Sequence, residues 1–302
     1  MWGFTLLVAS GCMLDRQGAA PDTSSVASSA VTVGQGPMAS TGAQTVGAGG
    51  SSVGGAGGMG GSTACPTDMV LIAHASGDYC IDRTEVTSAQ YKLFLDTQPD
   101  ANAMGAPCDF KTTFVPRSSG NQCTPMHYDP GALPNRPVAC VDWCDAYAYC
   151  QWAGKHLCGR IGGGSFDFGE HTDPDVSEWF HACSAGGTQV FPYGASYQPL
   201  TCVGDDFDMV SGDGSSDQAI DVTAAANCQG GFGGLFDMSG NVWEWENACE
   251  TGGADQDQRC HDRGGSFWDT QTALDCEDPG SSNHLRGYFN KNIGFRCCAD
   301  SL

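Results

Sequence analysis

Cysteine sets the tightest limit on what this chain can fold into. There is one at position 12, and sixteen more lie between Cys65 and Cys298. A cytosolic chain would need metal or redox chemistry to account for so many, whereas an exported chain needs only disulfides. An even count inside one segment is what a fully oxidised domain requires. The 302 residues carry 13 Lys+Arg against 35 Asp+Glu, a formal charge of −22. That balance excludes nucleic acid as a partner, since phosphate binding needs clustered cations. It suits an exported protein or one that collects hard cations through carboxylates.

The N-terminus bears on the choice of compartment. Residues 4–10 are a short apolar run, and Leu7-Val-Ala-Ser-Gly-Cys12 resembles a bacterial lipobox, with Cys12 the lipidated residue. No Lys or Arg precedes the run, which departs from an ordinary signal peptide. Residues 1–12 are therefore expected to be a lipoprotein signal, and the run is too short to span a membrane. Residues 13–64 are Gly-, Ser-, Ala- and Thr-rich, with no charged or aromatic residue from Thr23 to Ala64. Such a stretch cannot bury enough apolar surface to offset its ordering entropy. It is expected to be a disordered tether reaching roughly 40 Å. The globular part is expected over residues 65–302.

Within it, Met69-Val-Leu-Ile72 reads as a buried strand. Glu85–Leu95 reads as a helix with Thr87 as N-cap, Gln90 three residues on, and Tyr91, Phe94 and Leu95 on one face. Val141–Gly154 reads as a second helix, capped by Asp142 and stopped by Gly154. The remainder reads as loops around a small sheet.

Several blocks then occur in a fixed order. They are Tyr79-Cys-Ile-Asp-Arg-Thr-Glu-Val-Thr87, Arg136-Pro-Val-Ala-Cys-Val-Asp-Trp-Cys144, Trp152-Ala-Gly-Lys-His-Leu157, Phe191-Pro-Tyr-Gly194, Gly234-Leu-Phe-Asp-Met-Ser-Gly-Asn-Val-Trp-Glu-Trp245, Arg263-Gly-Gly-Ser-Phe-Trp268 and Ile293-Gly-Phe-Arg-Cys297. In this order they resemble the formylglycine-generating-enzyme (sulfatase-modifying factor) family. The resemblance implies a single α+β domain, an irregular variant of the C-type lectin fold, disulfide-rich and poor in regular secondary structure. It also suggests that Cys150 pairs with Cys297 and Cys183 with Cys276. Cys65–Cys80 and Cys249–Cys260 are expected from proximity in sequence.

Two kinds of site follow from the resemblance. The first is calcium, with Asp237 and Glu244 as side-chain ligands and Gly240 and Val242 as carbonyl ligands; the alternative is a tight turn, with Gly240 and Asn241 chosen for positive φ. A second calcium position would fall within Cys202–Ala226, among Asp205, Asp206, Asp208, Asp213 and Asp217. The other is the family's Cu(I) centre, which needs two thiolates, a soft ion choosing soft ligands. The matching positions are Asp269 and Leu274, and neither supplies a thiolate. Cu(I) chemistry, and with it formylglycine formation, is therefore not expected. Zinc at Cys140-x₃-Cys144 is disfavoured against disulfides in an exported chain.

Two functions remain open. One is a non-catalytic module that binds a peptide, protein or glycan, attached to the bacterial cell envelope through its lipid only. Its groove would be lined by Trp243, Ser266, Phe267 and Trp268, with core packing as the alternative for Trp243. The other is an oxidase with relocated cysteines, or a different reaction on the same fold.

Overall fold

The computed structural model describes residues 64–207, 218–277 and 283–302. Cys12, the lipid signal and the tether lie outside these residues, as do Asp208, Asp213 and Asp217 of the second calcium stretch.

Local sequence explains the helices. α1 spans Ser88–Asp96, and its N-cap Thr87 accepts from the Gln90 amide while the Gln90 side chain accepts from the Thr87 amide. Two orphan donors are satisfied reciprocally. α2 spans Trp143–Trp152 with the same device between Asp142 and Asp145, and Gly154 follows the end at φ +71°. A third helix, α3 (Glu178–Cys183), is capped by Ser177 and has every residue buried. It lies in the stretch expected to be loop. Six residues are too few to show a helical period.

Two four-stranded sheets replace the single small sheet expected. The first has the order β1-β2-β8-β3, all antiparallel, from β1 (Met69–Ile72), β2 (Tyr79–Asp82), β8 (Cys297–Asp300) and β3 (His156–Leu157). The second has the order β6-β5-β4-β7, from β4 (Trp243–Cys249), β5 (Arg259–Arg263), β6 (Asn283–Leu285) and β7 (Ile293–Gly294). β4 pairs antiparallel with β5 and parallel with β7.

The apolar core has two main parts. One packs α1 and α2 against Trp243, Trp245, Ile293 and Phe295. The other packs α3, through Trp179 and Phe180, against Ile72, Tyr79, Ile81 and Leu235. Each fully buried large side chain contributes about 1.5–3 kcal/mol, but the connecting loops add little apolar area.

Disulfides supply the remainder, typically about 2–4 kcal/mol each. All sixteen cysteines of the described residues are paired: Cys65–Cys80, Cys108–Cys144, Cys123–Cys140, Cys150–Cys297, Cys158–Cys298, Cys183–Cys276, Cys202–Cys228 and Cys249–Cys260. Cys140 and Cys144 thus have separate partners and offer no zinc site. The adjacent Cys297 and Cys298 tie β8 to α2 and to the residue after β3.

Candidate functional site

The turn after β5 holds Ser266, with both of the family's thiolate positions close behind it. Ser266 is fully buried. Its amide and its Oγ both donate to Asp269 Oδ2, and Asn292 Nδ2 donates to Ser266 Oγ at 3.0 Å. Asp269 therefore closes a local turn on the serine. Leu274 is 1% exposed, and a methyl group added at Gly265 would meet its Cδ2 at 2.8 Å. It fills the space under the turn as a core side chain. Cys276, two residues on, is joined to Cys183. The described residues thus hold no thiol here.

The expected groove needs correction. Trp243 is 3% exposed and Phe267 2% exposed, so with Ser266 three of the four residues belong to the interior. Aromatic residues next to a family motif read the same in sequence whether they line a groove or fill a core. Trp268 is the exception. It is half-buried, and Lys291 Nζ lies 3.8 Å from its ring centroid. Asn292 Oδ1 is buried and has no partner among the described residues. Two wider clefts, of about 860 and 500 Å3, lie elsewhere and share Trp152 in their walls.

The residues expected to hold calcium lie just before and within the start of β4. Asp237, Gly240 and Asn241 all have positive φ, at 58°, 78° and 61°. A Cβ at Gly240 would stand 2.3 Å from the Val203 carbonyl oxygen, so only glycine fits this close approach. The turn alternative thus describes the backbone well.

Charge adds something the turn does not need. Glu85, Asp237 and Glu244 are all buried, with Arg296 near them. Arg296 forks onto Glu244, with Nε–Oε2 at 2.6 Å and Nη2–Oε1 at 2.5 Å, and Trp179 Nε1 donates to Glu244 Oε2 at 2.7 Å. Glu85 Oε1 accepts from Asn241, but its Oε2 has no partner among the described residues. Burial, then the charges of Asp237 and Glu244, push the Glu85 carboxyl well above its usual range. Burial also pushes Asp237 up to about 6, against the Thr223 amide and Arg296, which pull it down. Three carboxylates against one guanidinium leave an uncompensated charge that either protons or a divalent cation can neutralise. The donor set is hard oxygen throughout and fits calcium in charge and type. Arg296 lies 52 residues from Glu244, and nothing local in the sequence pointed to the pair.

Among the described residues, one further group places three metal-ligating side chains together: Cys158, Glu178 and Cys298. Its two sulfurs form a disulfide, which offers no thiolate.

Comparison with known proteins agrees with the motif order. Residues 26–301 match the sulfatase-modifying factor enzyme 1-like domain. The inactive C-alpha-formylglycine-generating enzyme 2 of Bos taurus is 33% identical over 176 residues, covering 54% of this chain and 50% of that protein. The formylglycine-generating enzyme of Mus musculus is 29% identical over 185 residues, covering 56% of this chain and 45% of that protein. This chain thus aligns with about half the length of these curated relatives. Among solved structures, CarF aligns with a TM-score of 0.46 and 21% identity, over 80% of this chain and 95% of that one. On the extent of the domain match, the chain belongs to the sulfatase-modifying factor enzyme 1-like family, with that family's irregular α+β fold.

Proposed function

We propose that this chain is a non-catalytic member of its family, a ligand-binding or scaffold module. One observation carries the reading: the two thiolate positions hold Asp269, spent on Ser266, and Leu274, packed in the core. A Cu(I) centre of two thiolates has no donors there. The similarity to proteins named inactive supports the same reading. The half-buried Trp268, the unpartnered Asn292 Oδ1 and the cation over the indole support retention of a binding face.

Two features complete the proposal. Calcium is held by Asp237, Glu244 and the Gly240 and Val242 carbonyls, and its charge compensates the buried carboxylates. Cys12 carries a lipid that fixes the exported domain to the bacterial envelope. Eight disulfides support the export itself.

A free-thiol count tests the reading. The exported protein is denatured without reductant, alkylated and peptide-mapped. The expected result is no alkylated cysteine in residues 65–302. Two labelled thiols, with Cys276 one of them, would sink it in favour of an oxidase with relocated cysteines. Loss of metabolically incorporated fatty acid in a Cys12→Ser variant tests the anchor.

A further inference from the structure

The two wide clefts meet at one exposed tryptophan. Trp152 ends α2 and is 42% exposed, and it stands in the walls of both the cleft of about 860 Å3 and the cleft of about 500 Å3. Its ring is not loose. Phe94 and Tyr149 pack against it, each with its ring centroid 5.6 Å away. Little side-chain freedom is therefore left to lose when a ligand covers it. The indole N–H groups of Trp143, Trp179 and Trp245 each donate to a protein acceptor. That of Trp152 has no protein acceptor among the described residues. Leu93, 60% exposed, extends the apolar wall of the larger cleft.

The same walls carry unmatched polar groups. Gln90 lines the larger cleft, and its side-chain carbonyl is fixed by the Thr87 amide at 2.8 Å. Its Nε2 donors are left without a partner among the described residues. Asp300, in the same wall, is exposed, and its carboxylate has no hydrogen bond or ion pair among the described residues. In the smaller cleft the exposed Gln151 offers both a carbonyl and an amide.

We infer that a chain of neutral sugar residues binds across Trp152, from one cleft into the other. A pyranose ring has an apolar C–H face and a rim of hydroxyls that donate and accept at once. It is matched by an aromatic ring flanked by both donors and acceptors, and these walls supply an indole, two amides and a carboxylate. Ligand sites of this size are lined in the same way, by aromatic groups with a few placed polar ones. Charged ligands fit less well. The charge of −22 and Asp300 repel polyanions. A cationic ligand would find one unpaired side-chain carboxylate in the larger cleft, because Asp68, the other acid there, is already paired with Lys155. Trp268 lies in neither wall, so the inference adds a second face to the reading above and does not depend on it.

The probes are cellohexaose, chitohexaose and maltohexaose, with a galacturonate hexamer as polyanion and hexalysine as polycation, all on the full chain at physiological salt. The readout is the rate at which hydroxynitrobenzyl bromide labels Trp152, mapped by mass spectrometry, with Trp268 as internal control. At least one neutral hexamer should slow Trp152 labelling about threefold at about 2 mM, as a dissociation constant near 1 mM predicts. Trp268 labelling should not change. The corresponding disaccharide should protect less, since it is too short to enter both clefts. By calorimetry, Trp152→Ala should weaken binding of the same hexamer about tenfold, as loss of a tryptophan anchor does, and Trp268→Ala should leave it unchanged. No protection by any neutral hexamer, equal protection by the galacturonate hexamer or by the disaccharide, protection by hexalysine alone, or protection of Trp268 in place of Trp152 would overturn the inference.

Discussion

Two stretches of this chain lie in blocks that resemble the same family, and the fold treats them in opposite ways. In 266–274 each departure is closed off. Asp269 satisfies both donors of Ser266, and Leu274 fills the space against Gly265. In 237–244 the chemistry is left open. Glu85, Asp237 and Glu244 share one arginine, and Glu85 Oε2 has no partner among the described residues. At 266–274 the two departing side chains are satisfied or packed, while Asn292 Oδ1, on the side chain that bonds Ser266, has no partner among the described residues. The 237–244 cluster keeps a charge that its one arginine does not neutralise.

The strongest way to break this contrast is to remove the one cation of the acidic cluster. Arg296→Met should cost about 3–5 kcal/mol, because it leaves several carboxylates buried without compensation. Urea unfolding measures this, and a loss below about 1 kcal/mol would mean that the cluster already holds its protons. Next comes calcium itself. At a hundredfold excess over its dissociation constant it should stabilise by about 2.7 kcal/mol. Chelation should therefore lower Tm, and Glu85→Gln should weaken the response. An unchanged Tm with chelator removes the ion from the site.

On the other side, Asp269→Cys with Leu274→Cys should restore the donors. Shrinking the buried leucine should cost about 2 kcal/mol. The variant should take up Cu(I), read by competition with a chromophoric chelator, while the parent should not. Failure to bind would mean that repacking has also lost the donor geometry.

The smallest effect lies outside both regions. His284 and His156 each face a buried carboxylate, Asp262 at 2.9 Å and Glu178 at 3.0 Å. Burial lowers both pKa values, but the paired carboxylates outweigh it and the net shift is upward. The folded state therefore binds more protons, and this stability is present below pH 6.5 and fades as pH rises through the folded pKa. Both rings are partly exposed, so each should contribute less than about 1 kcal/mol. Tm measured from pH 6 to 8 should fall slightly, and to the same degree with and without calcium. A slope that changes with calcium would place that titration inside the acidic cluster instead.

How much could be read in advance followed the range of each interaction. α1, α2 and β1 were legible because caps and apolar runs act within a few residues. The second sheet was not. β4 and β5 carry Glu244, Glu246, Asp262 and Arg263 in the interior, so their sequences lack the alternation of a half-buried strand. Asp269 and Leu274 could be placed by counting from Gly-Gly-Ser. The burial of Trp243 and Phe267 could not, since an aromatic side chain suits a groove and a core alike. Lys291 against Trp268 was not legible either, because the two residues are 23 positions apart and no local pattern links them.

The adjacent cysteines of β8 have a mechanical consequence. Cys150–Cys297 and Cys158–Cys298 close covalent loops across sequence separations of 147 and 140. A pulling force applied near residue 300 would pass directly into α2 and β3, bypassing most of the domain. About 500 Å of contour length would stay hidden at any load the covalent bonds survive. Only a reductant would release it, and in stages that single-molecule extension could count, because both outer bonds must break and Cys183–Cys276, Cys202–Cys228 and Cys249–Cys260 close smaller loops inside them.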